Sequence, residues 1–357
     1  MIAGQQPAPE NKPTLAVVGA TGVVGTVARQ VLSTRDNIWG RVRLFASAHS
    51  AGRRVPVLGD ELEVDVLTPH AFDGVDVALF NAPEEVARTW APVAAERGAT
   101  VVDGSAAFRM DHQVPLVVAE VNAHAARSRP RGIVASPGCA TMGPILALGA
   151  LHAELALREF SLATYQAASG AGQSGVETLY DQISVVAGDR RLGATPGDVR
   201  RTIGGELGPF PAPLALNVVP WVGTDIAGGW TSEERGVRDE SRKILDLPDL
   251  KVSTTCVQVP VISGHSAVIH AVFESEADPA RAAGILRDAP GVVLYDDPAR
   301  QEYPTPADVV GTDPVWVGRL RQSLDEPRAL DMFVSGDNLR KGAALNAVQI
   351  AELVATT

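Results

Sequence analysis

A short apolar run, TLAVV (14–18), opens directly into Gly19-Ala-Thr21-Gly22-Val23-Val24-Gly25, and the residues from Val23 to Leu32 then follow helical spacing. Glycines spaced G-x-x-G-x-x-G between a strand and a helix leave few folds open. One glycine permits the tight turn, one lets the backbone approach a pyrophosphate, and one lets the helix pack against the sheet. The helix N-terminus then presents free N–H groups and a partial positive charge to phosphate. An ordinary strand-to-helix turn without a ligand is the plain alternative, and the surrounding pattern decides against it. Strands are expected at 42–46, 75–80, 100–102 and 133–135, with a helix at 83–97. Strands alternating with helices of this length predict βαβ units around a parallel sheet.

The end of the second strand names the nucleotide. An NAD site expects a carboxylate about 20 residues after the glycines, on the ribose hydroxyls. Here the chain reads Phe45-Ala46-Ser47-Ala48-His49-Ser50-Ala51-Gly52-Arg53-Arg54, with hydroxyls, a histidine and two arginines but no acid. That set suits a 2′-phosphate, so NADP is expected. Arginines that are merely solvated would read the same way.

After about residue 157 the rhythm changes to longer alternating runs at 159–168, 252–261 and 267–274, which predict an antiparallel or mixed sheet. The stretch 190–213 reads as a long surface excursion, 231–245 as a capped helix and 338–354 as a closing helix, while 1–13 reads as a disordered lead-in. The expected fold class is α/β, a Rossmann-type dinucleotide-binding domain plus an α+β domain. A length of 357 residues fits about two domains. The net charge of −11 offers no basic face to nucleic acid. No apolar run approaches about 18 residues, so no membrane span is expected. The N-terminus lacks a signal-peptide pattern, and two cysteines make no disulfide framework. A cytoplasmic protein is expected. No His/Cys/Asp/Glu cluster has ligand spacing, so no metal is expected.

Those two cysteines differ in setting. Cys256 lies mid-strand and reads as core. Cys139 follows Ser136-Pro137-Gly138 and precedes an apolar helical run. A lone cysteine is more often a buried structural thiol, but a helix N-terminus stabilises a thiolate, which a covalent nucleophile requires. His265, in the turn Ser263-Gly264-His265-Ser266, is the leading candidate for general acid/base. Thiolate, imidazole and nicotinamide together point to one chemistry: a thioester that links an aldehyde to an acyl phosphate through hydride transfer.

The ordered stretches VVGATGVVG (17–25), AFRMD (107–111), VPLVVAEVN (114–122), YQAASGAGQSGVETL (165–179), NVVPWVG (217–223), ESRKIL (240–245), CVQVPVISGHS (256–266) and DNLRKGAALNAVQIAEL (337–353) resemble the aspartate-β-semialdehyde dehydrogenase family from about residue 14 onward. The resemblance implies a Rossmann domain over 14–137 with 338–357 and a catalytic and dimerisation domain over 138–337. It implies Cys139 as nucleophile, His265 as acid/base and Gln166 as the residue that orients the substrate. Arg109 and Lys243 would bind phosphate, and Glu240 would face a substrate amino group. Gly19, Thr21, Gly22, Val23, Val24, Gly25, Ser47, His49, Ser50, Arg53, Asn81, Ser169, Gly170 and Asn338 would bind NADP. Partners would be a small-molecule substrate and inorganic phosphate, with no nucleic acid or membrane, in a homodimer or homotetramer.

Three positions depart from the family pattern. Gly138 stands where the family has Asn before the cysteine, and Gly104 replaces another Asn. Gln258 replaces the arginine that grips the substrate carboxylate, and Gln cannot supply a fixed charge or a bidentate pair. The expected reaction is reduction of L-aspartyl-4-phosphate to L-aspartate-4-semialdehyde. A paralogue for a related acyl phosphate, such as an N-acyl-glutamyl one, and a non-catalytic regulatory homologue remain as alternatives.

Overall fold

The computed structural model describes residues 12–356. Among these the chain forms two compact units, residues 12–137 with 343–356, and residues 138–342.

In the first unit, strands β1 (Thr14–Val18), β2 (Arg41–Ala46), β3 (Arg54–Val57), β4 (Asp60–Val66), β5 (Val77–Phe80), β6 (Thr100–Asp103) and β7 (Ile133–Ala135) make one sheet in the order β3-β4-β2-β1-β5-β6-β7. All neighbours are parallel except β3 and β4. Helix α1 (Val23–Thr34) follows β1, and α2 (Glu84–Glu96) follows β5. The core strands are apolar without alternation, as expected of a sheet covered on both faces. Strand order reverses at β1, which makes the carboxyl end of β1 the switch point where open α/β sheets take ligands. The glycine turn stands there. The amides of Gly19 and Ala20 both donate to Phe45 O, and Asn81 N donates to Val18 O, so the ends of β2 and β5 are pinned to it.

The β3–β4 hairpin is absent from the sequence expectations. Its signal is the alternation of Val55, Val57, Leu62 and Val64 around Leu58-Gly59, both with positive φ (54° and 89°). The arginines and acids between those apolar residues obscure the pattern.

The second unit carries α3 (Cys139–Leu155), β8 (Leu157–Gln166), α4 (Gly172–Val186), α5 (Asp198–Ile203), α6 (Ser232–Leu245), β9 (Lys251–Gln258), β10 (His265–Phe273), α7 (Pro279–Asp288), β11 (Val292–Leu294), α8 (Pro306–Val309), β12 (Val315–Gln322) and β13 (Ala329–Gly336). Its sheet runs β11-β12-β13-β10-β8-β9 and is mixed, with β8 parallel to β9 and antiparallel to β10. Helix α3 is apolar all round and lies against β8, β10 and β13 and against α6 and α7, as a helix buried on every side does. The expected strand 159–168 ends at Gln166, because Ala167 spends its N–H on His265 rather than on the ladder.

The closing segment is not one helix from residue 338. A π-helical turn, Arg340–Ala344, comes first, and α9 (Leu345–Ala355) returns to the first unit. There Asn346, fully buried, donates from Nδ2 to Val117 O and Ser136 Oγ and accepts from Ala119 N, while Arg35 and Glu352 pair α1 with α9. The chain leaves the second unit at Gly342 rather than before Asn338, whose side chain bonds to Ser169 and Gly264 of that unit. Of the expected lead-in, residues 1–11 lie outside the described residues. Lys12 donates to Asn37 O, and Pro13 O accepts from Gly40 N.

The glycines of the turn separate by space. A Cβ at Gly25 would lie 2.0 Å from Gly19 O, whereas one at exposed Gly22 would meet nothing nearer than 3.5 Å. Gly25→Ala is expected to cost about 1–3 kcal/mol or more by overpacking. Gly22→Ala should stay within about 0.5 kcal/mol of wild type. Urea unfolding of both variants checks this, and equal midpoints would contradict it.

Candidate active site

Helix α3 begins on a residue with no side chain. Gly138 is its N-cap (φ −67°, ψ 152°), so the cap is supplied from elsewhere. Buried Glu240, on α6, accepts at Oε2 from Gly138 N (2.8 Å) and from Thr141 Oγ1 (2.6 Å). Cys139 therefore occupies the first helical position, partly exposed, where the first-turn amides favour an anion and the nearby carboxylate opposes one. Gly342 closes against it: a Cβ at 342 would lie 3.2 Å from Cys139 Cβ.

Cys139 and His265 line one small cavity of about 20 Å³, together with Thr164, Asp337, Asn338 and Lys341. His265 opens β10 after Gly264, whose φ of +93° and contact with Pro306 (3.0 Å from a built Cβ) admit no larger residue. Its Nδ1 accepts from Ala167 N at 3.1 Å. That bond assigns the ring proton of the neutral imidazole to Nε2, a buried donor with no partner among the described residues. Gly170 lies against the same edge, its built Cβ 3.1 Å from Nε2. Burial pushes the imidazolium pKa down to about 3.

Gln166 and Gln258 stand side by side at the ends of parallel β8 and β9. Gln166 Nε2 donates to Thr164 Oγ1 (3.3 Å), which puts it two residues along the face that lines the cavity. Gln258 is buried, and its side-chain amide makes no hydrogen bond among the described residues. Lys243 is half-buried one turn after Glu240 on α6. Cys256 is core, as expected, and burial pushes its thiol up to about 12.

Arg109 belongs to the first unit. It donates from Nε to Ser136 O (3.0 Å) and from Nη2 to Gly104 O (3.1 Å), which fastens its loop to the residue three before Cys139. The fully buried carboxylate of Asp103, raised in pKa by burial, accepts from Ser105 N and Oγ and shapes the same loop.

The residues expected to bind the nucleotide also lie in the first unit, except Ser169, Gly170 and Asn338. Helix α1 has no capping side chain and no acid in its first turn, so the amides of Val23, Val24 and Gly25 face no competing anion. Thr21 Oγ1 donates to Ser50 Oγ (3.1 Å). Ser47, His49 and Arg53 are exposed, without side-chain bonds among the described residues. Asn81 Nδ2 is a buried donor with no partner among the described residues, and a Cβ at Gly104 would lie 3.4 Å from Asn81 Oδ1. A bound dinucleotide fits this set: amides for pyrophosphate, an unspent amide donor at the switch point and a free arginine beside β2. Ser169 and Asn338 instead bond to each other in the second unit.

Four residues of the second unit that line this cavity or bond to Glu240 were not singled out in the sequence: Thr141, Thr164, Lys341 and Gly342. Thr141 has a signal, a hydroxyl two residues into the cysteine's helix. Lys341 has one too: it is one of four lysines and is buried, but its helical setting disguises it.

A histidine held neutral by burial costs stability on the acid side. Below its unfolded pKa of about 6.5 the unfolded chain binds a proton that the folded ring refuses until about pH 3, so stability falls as pH drops through that window. His265→Gln should flatten this loss between pH 6.5 and 4 in urea titrations. An unchanged slope would contradict the assignment.

Residues 14–129 match the family described as "Semialdehyde dehydrogenase, NAD binding domain" and residues 148–341 "Semialdehyde dehydrogenase, dimerisation domain". The chain is 46% identical over 348 residues to the aspartate-semialdehyde dehydrogenase of Corynebacterium melassecola (96% of this chain, 99% of that one). It is 40% identical to that of Bacillus subtilis (95% and 96%). Among solved structures, aspartate semialdehyde dehydrogenase II of Vibrio cholerae, complexed with ASA, superposes with a TM-score of 0.88 at 33% identity (96% and 98%). The glycine turn, the cysteine-bearing helix and the relatives all agree, and the chain belongs to the aspartate-semialdehyde dehydrogenase family.

Proposed function

We propose that this chain catalyses the reversible, NADP-dependent reductive dephosphorylation of an acyl phosphate to an aldehyde, with L-aspartyl-4-phosphate and L-aspartate-4-semialdehyde as the substrate pair. The observation that carries it is Cys139 at the head of α3, lining one cavity with a histidine whose Nε2–H is unspent. The relatives named above carry the aspartate-semialdehyde dehydrogenase name along nearly the whole chain.

The residues divide the work. The Cys139 sulfur attacks the acyl carbon and, as phosphate departs, holds the acyl group as a thioester. His265, neutral with its proton on Nε2, donates a hydrogen bond to the carbonyl oxygen as charge develops there. It hands that proton over after reduction and takes it back as the carbon–sulfur bond breaks, which releases the aldehyde and the Cys139 thiolate. Gln166 orients the acyl group, Arg109 and Lys243 take the phosphate, and Glu240 presents its Oε1 side to a substrate amino group while Oε2 stays on α3. NADPH, held by the glycine turn, Thr21, Ser47, His49, Ser50, Arg53 and Asn81, supplies the hydride when bound. Residues 148–341 match a dimerisation domain, which supports a homodimer or homotetramer. No helix of the described residues is long and apolar enough to cross a membrane, which fits a cytoplasmic site of action.

Gln258 favours a second reading within the same chemistry. A neutral carboxamide in a buried position offers one acceptor and a donor pair, which suits an uncharged polar group on the substrate better than a carboxylate. Gly138 adds to this, since a Pro-Gly-Cys turn resembles that of N-acyl-glutamyl-phosphate reductases.

The assay is NADPH formation from L-aspartate-4-semialdehyde, phosphate and NADP⁺. Phosphate-dependent turnover, lost with NAD⁺ as cofactor and weakened by Arg53→Ala, is expected. No turnover with that aldehyde, but turnover with an N-acylated glutamate semialdehyde, would move the assignment to the second reading. Gln258→Arg should tighten aspartate-semialdehyde binding about 10- to 100-fold if a carboxylate meets this position, since a charged hydrogen bond contributes about 1.5–3 kcal/mol. No change would place the carboxylate elsewhere.

A further inference from the structure

The segment after β8 and the segment before β10 lie along one another. Ala168 N donates to Val261 O (2.8 Å), Ser169 N to Ile262 O (3.0 Å) and Ala167 N to the His265 ring. The last link is a single bond to a side chain at the end of a turn whose glycine has φ +93°. A third segment closes this turn. Asn338, 4% exposed, accepts at Oδ1 from Gly264 N (2.9 Å) and donates from Nδ2 to Ser169 Oγ (2.9 Å). The Gly264 amide requires an acceptor, which fixes the orientation of the carboxamide. Asn338 is itself held by its neighbour: Asp337 accepts at Oδ1 from Leu339 N and Arg340 N, and at Oδ2 from Gly311 N.

We propose that Asn338 is a positioning residue for His265, holding the peptide that carries the imidazole against the Ala167–Gly170 segment. Its two amide atoms are committed to Gly264 and Ser169, and only one N–H of Nδ2 remains for a ligand. Removing the carboxamide strands the buried Gly264 N–H and releases Ser169, so the ring loses the frame that keeps Nδ1 on Ala167 and Nε2 facing the cavity with Cys139, Asp337 and Lys341.

The inference rests on the reading that His265 is the acid/base, and the test separates the two. Asn338→Asp keeps the shape and the acceptor for Gly264 N, can accept from the Ser169 hydroxyl, and loses the N–H that a cofactor could use. Asn338→Ala loses everything. Histidine-selective ¹⁵N NMR, with His265 assigned by its own substitution, reads the ring whether or not turnover is found. Wild type and Asn338→Asp should show a neutral ring with distinct acceptor Nδ1 and protonated Nε2 signals. Asn338→Ala should average or broaden them. In turnover, Asn338→Ala should lose about 10- to 100-fold in kcat with the NADP Kd changed less than about threefold, and Asn338→Asp should recover most of kcat. Unaltered His265 signals in Asn338→Ala overturn the proposal. So does a loss carried by NADP Kd equally in both variants, which is the signature of a cofactor contact. Should Asn338→Asp not fold, Ser169→Ala takes its place: partial broadening of the same signals supports the proposal, and an unchanged spectrum overturns it.

Discussion

One carboxylate oxygen sets where Cys139 stands. Helix α3 starts on a glycine and cannot cap itself, and Glu240 Oε2 takes both the Gly138 N–H and the Thr141 hydroxyl. Glu240 is in turn fixed by α6, which begins with a complete capping box between Thr231 and Glu234. The spare oxygen of Glu234 accepts from Cys256 N on β9, and Thr254 Oγ1 donates to Glu234 O. The sheet, α6, Glu240 and the start of α3 are thus joined by one chain of hydrogen bonds, and Cys139 stands at that start. The same carboxylate disfavours an anion beside the helix start, so the first-turn amides and the cavity groups must outweigh it for the sulfur to act.

The histidine follows the same economy. A backbone amide, not a carboxylate, holds its Nδ1, and burial keeps it neutral. A ring in that state serves first as a hydrogen-bond donor to an oxygen gaining charge and only afterwards as a base. This ordering suits an acyl phosphate, whose carbonyl oxygen must be stabilised before a proton has to move.

Much of this was legible in the residues. The parallel sheet, the glycine turn, the helix that starts at Cys139 and the core setting of Cys256 follow from periodicity and spacing, because local apolar patterns decide them. The β3–β4 hairpin was not legible, since its alternation is interrupted by charges. Nor was the π-turn, because Arg340–Ala344 reads as good helix. At the candidate site, residue types singled out Cys139, His265 and Gln166 as candidates. Partnerships between distant segments could not be read: Glu240 on Gly138 spans 102 residues and Asn338 on Ser169 spans 169. Glu240 was expected to face a substrate amino group, and nothing in its residue type told that one of its oxygens also caps α3.

The most direct test of the account is peptide mass spectrometry of the protein mixed with L-aspartate-4-semialdehyde and NADP⁺ in the absence of phosphate, quenched in acid. The account predicts an acyl adduct on the peptide containing Cys139, discharged on adding phosphate, with Cys256 unmodified. Phosphate-dependent turnover with no adduct at Cys139, or an adduct on another residue, would contradict it.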